Sequence, residues 1–401
     1  MEKNMKPGSE FWHSMDYHAQ SAMPKSTTGK PKIALMSYAM DNRAAKGSAL
    51  YTRKLIEGML PSNEFDFYLV HYDKVSDPLY QKANEIIMPK VKLPYGGRLV
   101  SQLLFFWKYR KNPFDVVHWF HPRVYPFFWL VPAKKIIVTV HGAGDITAPT
   151  NFIFSRSVFN FVLKHFYRSI DIIVADSNFG KEEVVEHYGF PKEKVRTIYL
   201  GGGENYKPMD KNEAKSIVSQ KYKIDSPYIL DVSRLQPHKN VGGLIRAYDL
   251  MRKTNPNRTE KLVIVGGGAY NKVPEYGIAE QATFSKDIRF VDFVDKADLN
   301  AVYSASELFV FPSLNEGFGL PVVEAMASGV PVITSNITSM PEIGGDAVIT
   351  VNPLDISGLA GTMHMVLTDR VLQRKMIELG LNRASGFTWG KTVRDTEDLY
   401  K

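Results

Sequence analysis

What most limits the fold of this chain is a rhythm of short apolar runs separated by longer amphipathic stretches, and the rhythm occurs twice. In the first series, residues 32–38, 67–72, 116–120, 136–140, 172–175 and 195–200 read as strands, and residues 50–60 as a helix. In the second, residues 228–232, 262–265, 288–291, 308–311, 331–334 and 347–351 read as strands, with helical stretches such as 241–253 and 297–304 between them. The runs are nearly continuous in apolar residues, the pattern of parallel strands covered on both faces. Ser177 follows one of them and is placed to cap a helix. Two such series predict an α/β chain of two doubly wound, Rossmann-like domains. The break falls after Gly201, Gly202 and Gly203. The expected units are a polar extension over 1–31, a first domain over 32–205 and a second over 206–385, leaving a closing segment at 386–401.

Composition narrows the function classes. With 401 residues and 44% hydrophobic content, the chain can bury more than one core. A charged fraction of 23% is that of a globular protein. There are no cysteines, which excludes disulfides, thiolate metal sites and cysteine nucleophiles, and fits a reducing compartment. The net charge of +8 favours anionic partners, whether nucleic acid, anionic lipid or phosphorylated substrates. Residues 1–30 are polar and lack the apolar centre of a signal peptide. The most apolar stretches, 99–107 and 124–133, fall short of the roughly 20 residues that a membrane span needs. A cytoplasmic location is expected.

In open α/β sheets, ligands bind beyond the carboxyl ends of the strands, so two such sheets facing each other would form a cleft there. The segment from Phe309 to Gly329, FVFPSLNEGFGLPVVEAMASG, is built for that place. A strand runs into a loop, Pro321 opens a helix at its first position, and Gly329 closes it. The free N–H groups at such a helix start suit a phosphate. Gly317 and Gly319 let the backbone approach a ligand. Glu316 lies in the loop and Glu324 in the expected first turn, where its side chain leans back toward the same ligand. Carboxylates at both sides of a phosphate site suit a molecule with hydroxyls at both ends and phosphates in the middle. A nucleotide sugar is such a molecule.

The segment resembles the Glu-x7-Glu signature of glycosyltransferase family 4, whose members have the two-domain GT-B fold, and the resemblance extends over most of the chain from about residue 32. It implies a retaining, metal-independent hexosyltransferase, with the first domain binding the acceptor, the second binding the nucleotide sugar, and residues 386–401 forming a helix that returns to the first. In Asp231-Val-Ser-Arg-Leu-Gln-Pro-His-Lys-Asn, Arg234 and Lys239 match the family's cations for the donor diphosphate. The resemblance places residues 317–320 (Gly317, Phe318, Gly319 and Leu320) on the diphosphate, Glu316 on the sugar hydroxyls and Glu324 on the ribose. Gly47 and Ser48 resemble the glycine loop of the first domain, where the family pattern has two glycines. His141, in Val-Thr-Val-His-Gly, resembles a histidine that contacts the donor sugar. Phe290-Val-Asp-Phe-Val294 resembles the strand edge that receives the nucleobase, so Val294 joins the donor site, although Asp292 stands where the family commonly has glycine.

The implied donor is GDP-mannose or a UDP-sugar. The implied acceptor is a glycan or lipid-linked hydroxyl in cell-surface polysaccharide or glycolipid assembly. No cofactor, metal or nucleic acid is called for; the nucleotide sugar is a substrate. His118 and His121 form an His-x-x-His without a carboxylate spaced to complete a zinc site. Residues 98–111 and 151–168 mix aromatic and basic side chains. They read either as helices packed on the first sheet, with Leu99, Leu103 and Phe106 on one face, or as interfacial helices on the anionic inner face of a membrane. Two other functions remain open from sequence: a glycosidase using Glu316 and Glu324, and a bilobal nucleotide- or sugar-binding protein without turnover.

Overall fold

The computed structural model describes residues 29–41, 47–91, 97–120, 127–141, 167–266 and 274–401. The first domain holds a seven-stranded sheet in the order β3-β2-β1-β4-β5-β6-β7. Its strands are β1 (Lys32–Met36), β2 (Asp66–His71), β3 (Asn84–Ile87), β4 (Phe114–Trp119), β5 (Ala133–Val140), β6 (Ile172–Ala175) and β7 (Val195–Thr197). The second domain holds six strands in the order β10-β9-β8-β11-β12-β13. These are β8 (Tyr228–Val232), β9 (Lys261–Val265), β10 (Ile288–Val291), β11 (Leu308–Phe311), β12 (Val332–Ser335) and β13 (Ile349–Val351). All recorded pairings in both sheets are parallel.

The described helices are α1 (Gly47–Met59), α2 (Gly97–Tyr109), α3 (Asn178–Tyr188), α4 (Lys211–Tyr222), α5 (Val241–Thr254), α6 (Pro274–Gln281), α7 (Leu299–Ala305), α8 (Leu320–Ala327), α9 (Met340–Gly344), α10 (Ile356–Thr368), α11 (Arg370–Ser385) and α12 (Trp389–Glu397). They cover both faces of the sheets, which is why the strands read as unbroken apolar runs. Along β1, Ile33 and Leu35 enter one core while Ala34 and Met36 enter another. Along β11, Phe309 and Phe311 face one core and Leu308 and Val310 the opposite one. The inner core is continuous between the domains and includes Leu200, Phe318, Phe387 and Trp389. The result is two Rossmann-like domains facing a cleft.

Helix α12 lies on α1 of the first domain. Beyond it, the Tyr400 hydroxyl meets His118 Nδ1 at 2.8 Å, and Lys135 Nζ donates to the Leu399 carbonyl at 2.9 Å. Helix α2 buries Phe105, Phe106 and Tyr109, with Leu99 and Leu103 partly buried behind them, and leaves Trp107 63% exposed. Residues 151–166 of the second basic-aromatic stretch lie outside the described residues, as does His121.

Candidate active site

The loop after β11 sets the centre of the site. Gly319 has φ +100°, a left-handed conformation that glycine adopts without strain, and α8 begins at the next residue. Pro321 is therefore the second helical residue rather than the first, and Glu324 the fifth, one residue further in than the sequence suggested. Three carbonyls of the loop are held by buried serines. The Ser339 hydroxyl is shared between the carbonyls of Glu316 (2.9 Å) and Phe318 (3.0 Å). Ser177, from the first domain, donates to the carbonyl of Gly317 at 2.7 Å. In a trans peptide the C=O and the following N–H point in opposite directions. Pinning these three carbonyls therefore turns the N–H groups of Gly317, Phe318 and Gly319 away from the serines. Those N–H groups have no acceptor among the described residues.

The cations come from the segment after β8. Asn240 closes the Pro237–Lys239 turn in a left-handed conformation, and its side-chain amide donates to Pro312 and Pro353 carbonyls at 3.2 and 2.8 Å. The His238 carbonyl accepts from the backbone N–H of Leu314. These bonds bind the turn to the β11 loop and bring Lys239 into an ion pair with Glu316. The Lys239 ammonium also lies 5.2 Å from the centre of the Phe311 ring. Arg234 is exposed, and its side chain makes no hydrogen bond or ion pair among the described residues. Beneath this pair lies Asp231, which the sequence reading counted only as the start of the basic stretch. It is fully buried; Ser233 donates to Oδ2 at 2.6 Å, and Oδ1 has no partner among the described residues. Burial pushes its carboxyl up to about 7, with Ser233 and the Lys239 charge opposing and the Glu316 charge adding.

Glu324 is half-buried and accepts from the Tyr303 hydroxyl at 2.8 Å, with the Tyr206 hydroxyl close by. Burial raises its pKa, and the two tyrosine hydroxyls work against that rise. Val294 is half-buried just past β10, the edge strand of the second sheet; Phe293 beside it is 73% exposed. The Asp292 carboxylate lies close enough to Tyr276 to raise the pKa of its hydroxyl, behind the larger effect of burial.

On the first domain, His141 follows β5. Its Nδ1 meets Asp176 Oδ2 at 2.8 Å and its Nε2 the Phe120 carbonyl at 3.0 Å. Both are acceptors, so the ring satisfies both only as the imidazolium. Gly47 and Ser48 form the first residues of α1, and a Cβ at Gly47 would meet nothing within 4 Å. His118 is taken up by the core: it bonds to Tyr400 and Thr139, and burial drives its pKa down to about 3. Among the described residues no group of three or more His, Asp or Glu side chains is placed to hold a metal ion.

Comparison with known proteins fits this geometry. The family model described as "Glycosyltransferase Family 4" matches residues 46–201, and "Glycosyl transferases group 1" matches residues 213–383. The O-antigen chain mannosyltransferase B of Escherichia coli is 30% identical over 377 residues, covering 88% of this chain and 96% of that protein. The chain belongs to the family 4 glycosyltransferases. The D-inositol 3-phosphate glycosyltransferase of Corynebacterium glutamicum (strain R) is 26% identical over 337 residues, 80% of this chain and 79% of the relative. A sucrose-phosphate synthase from Thermosynechococcus elongatus shares the GT-B fold at a TM-score of 0.73, covering 92% of this chain and 98% of that one at 20% identity. As a glycosyltransferase of this fold, the protein moves a sugar from a nucleotide-sugar donor to an acceptor.

The sequence reading missed Ser177 as a partner of the loop, Tyr303 and Tyr206 as neighbours of Glu324, and Asp176 as the partner of His141. Each contact joins residues far apart in the chain. Only Ser177 carried a local signal, as a helix cap, and it does accept from the Gly180 N–H at 2.9 Å.

Proposed function

We propose that this glycosyltransferase transfers a hexose from GDP-mannose or a UDP-sugar to a hydroxyl of a growing glycan or lipid-linked acceptor in cell-surface polysaccharide or glycolipid assembly, with retention at the anomeric carbon. The observation that carries the reading is the meeting of three unclaimed N–H groups, at Gly317, Phe318 and Gly319, with Lys239, which is paired to the adjoining Glu316 at the start of α8; the exposed Arg234, on the same segment after β8, is the second cation in this reading. That is a site for a diphosphate. The mannosyltransferase relative favours the mannosyl donor. On binding, the diphosphate takes Lys239 over from Glu316, and the released carboxylate is free for the sugar hydroxyls. Glu324 accepts from the ribose, Val294 borders the base, and His141 meets the sugar from the other domain beside the Gly47 and Ser48 end of α1. The bond from the anomeric carbon to the diphosphate oxygen breaks and the bond to the acceptor oxygen forms on the same face. The acceptor proton passes to the departing phosphate oxygen. The protein contributes position and charge stabilisation, and the cations and amides do this work without a metal.

The experiment is a thermal-shift screen against GDP, UDP, ADP and their sugars, followed by detection of released nucleoside diphosphate with oligosaccharide acceptors. The preferred donor base is expected to stabilise by about 2–4 kcal/mol when well above its dissociation constant. Turnover is expected to survive excess chelator. Loss that manganese restores, or no response to any nucleotide, rules the reading out. A glycosidase needs its two carboxyls facing one bond; here Glu316 is held by Lys239 and Glu324 by Tyr303.

The same reading includes peripheral attachment to an anionic membrane. Trp107 on α2 is exposed, as are Trp129 and Leu130 on the Phe128–Leu130 turn packed against α2. Lys108, Arg110 and Lys111 are exposed around them, with Arg110 4.0 Å from the Trp107 ring centre. Aromatic and aliphatic side chains ringed by cations suit a headgroup layer. Anionic vesicles are expected to sediment the protein at low salt and release it at high salt, and the Trp107→Ala, Trp129→Ala double variant to bind less. Wild-type protein left in the supernatant at every salt concentration excludes attachment.

A further inference from the structure

The phosphate loop of the second domain is held in part by the first. Ser177 Oγ accepts from the Gly180 N–H at 2.9 Å, which caps α3, and donates to the Gly317 carbonyl at 2.7 Å. Its residue is fully buried. Beside it, Glu342 of α9 reaches from the second domain to the start of the same helix. Its carboxylate oxygens accept from the Asn178 N–H at 2.7 Å and the Phe179 N–H at 3.0 Å, and the Tyr199 hydroxyl donates to it at 2.8 Å. The first three N–H groups of α3 are thus satisfied, two of them by a carboxylate from the other domain. A carboxylate is favoured there by the helix dipole as well. Arg383 of α11 fixes the Glu342 and Ile343 carbonyls, so this carboxylate is braced from its own side.

These contacts form one clasp across the cleft, and one end of it is the backbone of the donor loop. Without the Ser177 hydroxyl the Gly317 carbonyl loses its recorded partner, and the peptide that presents the Phe318 N–H can rotate. We propose that Ser177 is a positioning residue for the donor diphosphate: closure of the two domains, fastened by Glu342 on α3, sets the peptide planes of the phosphate loop. The proposal rests on the diphosphate reading of that loop. It makes donor capture and domain closure a single event, since opening the cleft removes Ser177 from Gly317 and slackens the loop that holds the phosphates.

Three variants at one position separate the loop contact from the helix cap. Ser177→Asp keeps an acceptor for the Gly180 N–H, but an ionised carboxylate cannot donate to Gly317. Ser177→Thr keeps both roles. Ser177→Ala loses both. Glu342→Gln loosens the other half of the clasp without touching the loop. In the full-length enzyme, Ser177→Asp, Ser177→Ala and Glu342→Gln are expected to lower kcat/KM for the donor about tenfold or more. The loss should appear as a raised donor KM with the acceptor KM unchanged, whereas a merely less stable enzyme would lose kcat alone. Ser177→Thr is expected to stay within about threefold of wild type. Small-angle scattering of the donor-free protein is expected to give a larger radius of gyration for Ser177→Asp and Glu342→Gln. Wild-type donor kinetics and wild-type scattering in these two variants overturn the proposal. So do equal losses in Ser177→Thr and Ser177→Asp, which would give the hydroxyl no special part. If wild-type protein binds no nucleoside diphosphate, the donor reading fails instead, and the scattering comparison still decides whether the clasp exists.

Discussion

Lys239 and Arg234 carry the same charge in different settings, and the difference can be measured. Lys239 is already paired with Glu316, whereas the Arg234 guanidinium has no partner among the described residues. Replacing either with alanine is expected to raise the barrier to transfer by about 2–4 kcal/mol, because charge builds on the departing diphosphate. Both variants should bind nucleoside diphosphate more weakly and free nucleoside as before. Glu324→Ala should weaken both ligands through the ribose. Lys239→Ala should also lower the melting temperature more than Arg234→Ala, since it leaves a largely buried Glu316 carboxylate unpaired. Calorimetry with both ligands, beside steady-state rates, checks the set; wild-type turnover in Arg234→Ala and Lys239→Ala would place the diphosphate elsewhere. Asp231 adds a pH signature. Its carboxyl rises on folding from 3.8 to about 7. Between those values the folded chain holds a proton that the unfolded chain has released, so its contribution to stability falls as pH rises, by at most about 1.4 kcal/mol per pH unit. Above about pH 7 the penalty is constant. Asp231→Asn should therefore gain stability relative to wild type as pH rises from about 4 to 7, and no further above it. Urea titrations across that range test it, and a pH-independent difference would mean that Asp231 does not hold its proton.

The turn into α8 depends on one backbone conformation. Gly319 has φ +100°, which strains any other residue, and a Cβ there would also have to displace the Met340 methyl, 2.3 Å away at the end of its side chain. Gly319→Ala is expected to cost about 1–3 kcal/mol of stability and to weaken nucleoside diphosphate binding in the folded fraction, measured by thermal melts and calorimetry. Unchanged binding would show that the loop tolerates another path. This turn was legible in the sequence because glycine, proline and an apolar run are local signals. The same is true of most strands, whose covered faces make them continuous apolar runs. β3 was not legible: it is a sheet-edge strand whose first two residues are exposed, so NEII carries no such run. The residues around the site were legible only where a family signature named them. Ser177 and Gly317 are 140 positions apart, Tyr199 and Glu342 143 apart, and nothing local in either partner announces the other. The glycine run at 201–203 was visible as a break, but its reason is packing. A Cβ at Gly201 would lie 2.1 Å from the Trp389 backbone nitrogen, and one at Gly203 2.4 Å from the Ala384 carbonyl oxygen. The outgoing and returning chains pass each other there with no space for side chains.

That crossing makes the chain end part of the first domain's core. After α12 lies on α1, Tyr400 enters between Phe65, Met59 and His118 and is almost fully buried. His118 is held neutral by burial, with one ring nitrogen on Tyr400 and the other on Thr139. A neutral imidazole has one donor and one acceptor nitrogen, and two hydroxyls can satisfy both. The proton linkage of His118 runs opposite to that of Asp231. Its pKa falls on folding from 6.5 to about 3, so between those values the unfolded chain binds a proton that the folded chain refuses, and stability falls as pH falls. The two domains thus contribute opposing slopes over about pH 4–6.5, and Asp231→Asn should leave the enzyme more acid-sensitive by removing one of them. Tyr400 divides packing from hydrogen bonding. Tyr400→Phe keeps the ring and takes the hydroxyl from His118, at an expected cost of about 1–3 kcal/mol. Tyr400→Ala also opens a cavity and should cost about 3–5 kcal/mol. Denaturant titrations at neutral pH give both numbers. If Tyr400→Ala stays within about 1 kcal/mol of wild type, the chain end is not seated in the first domain, and the returning segment does not join the two halves as the geometry requires.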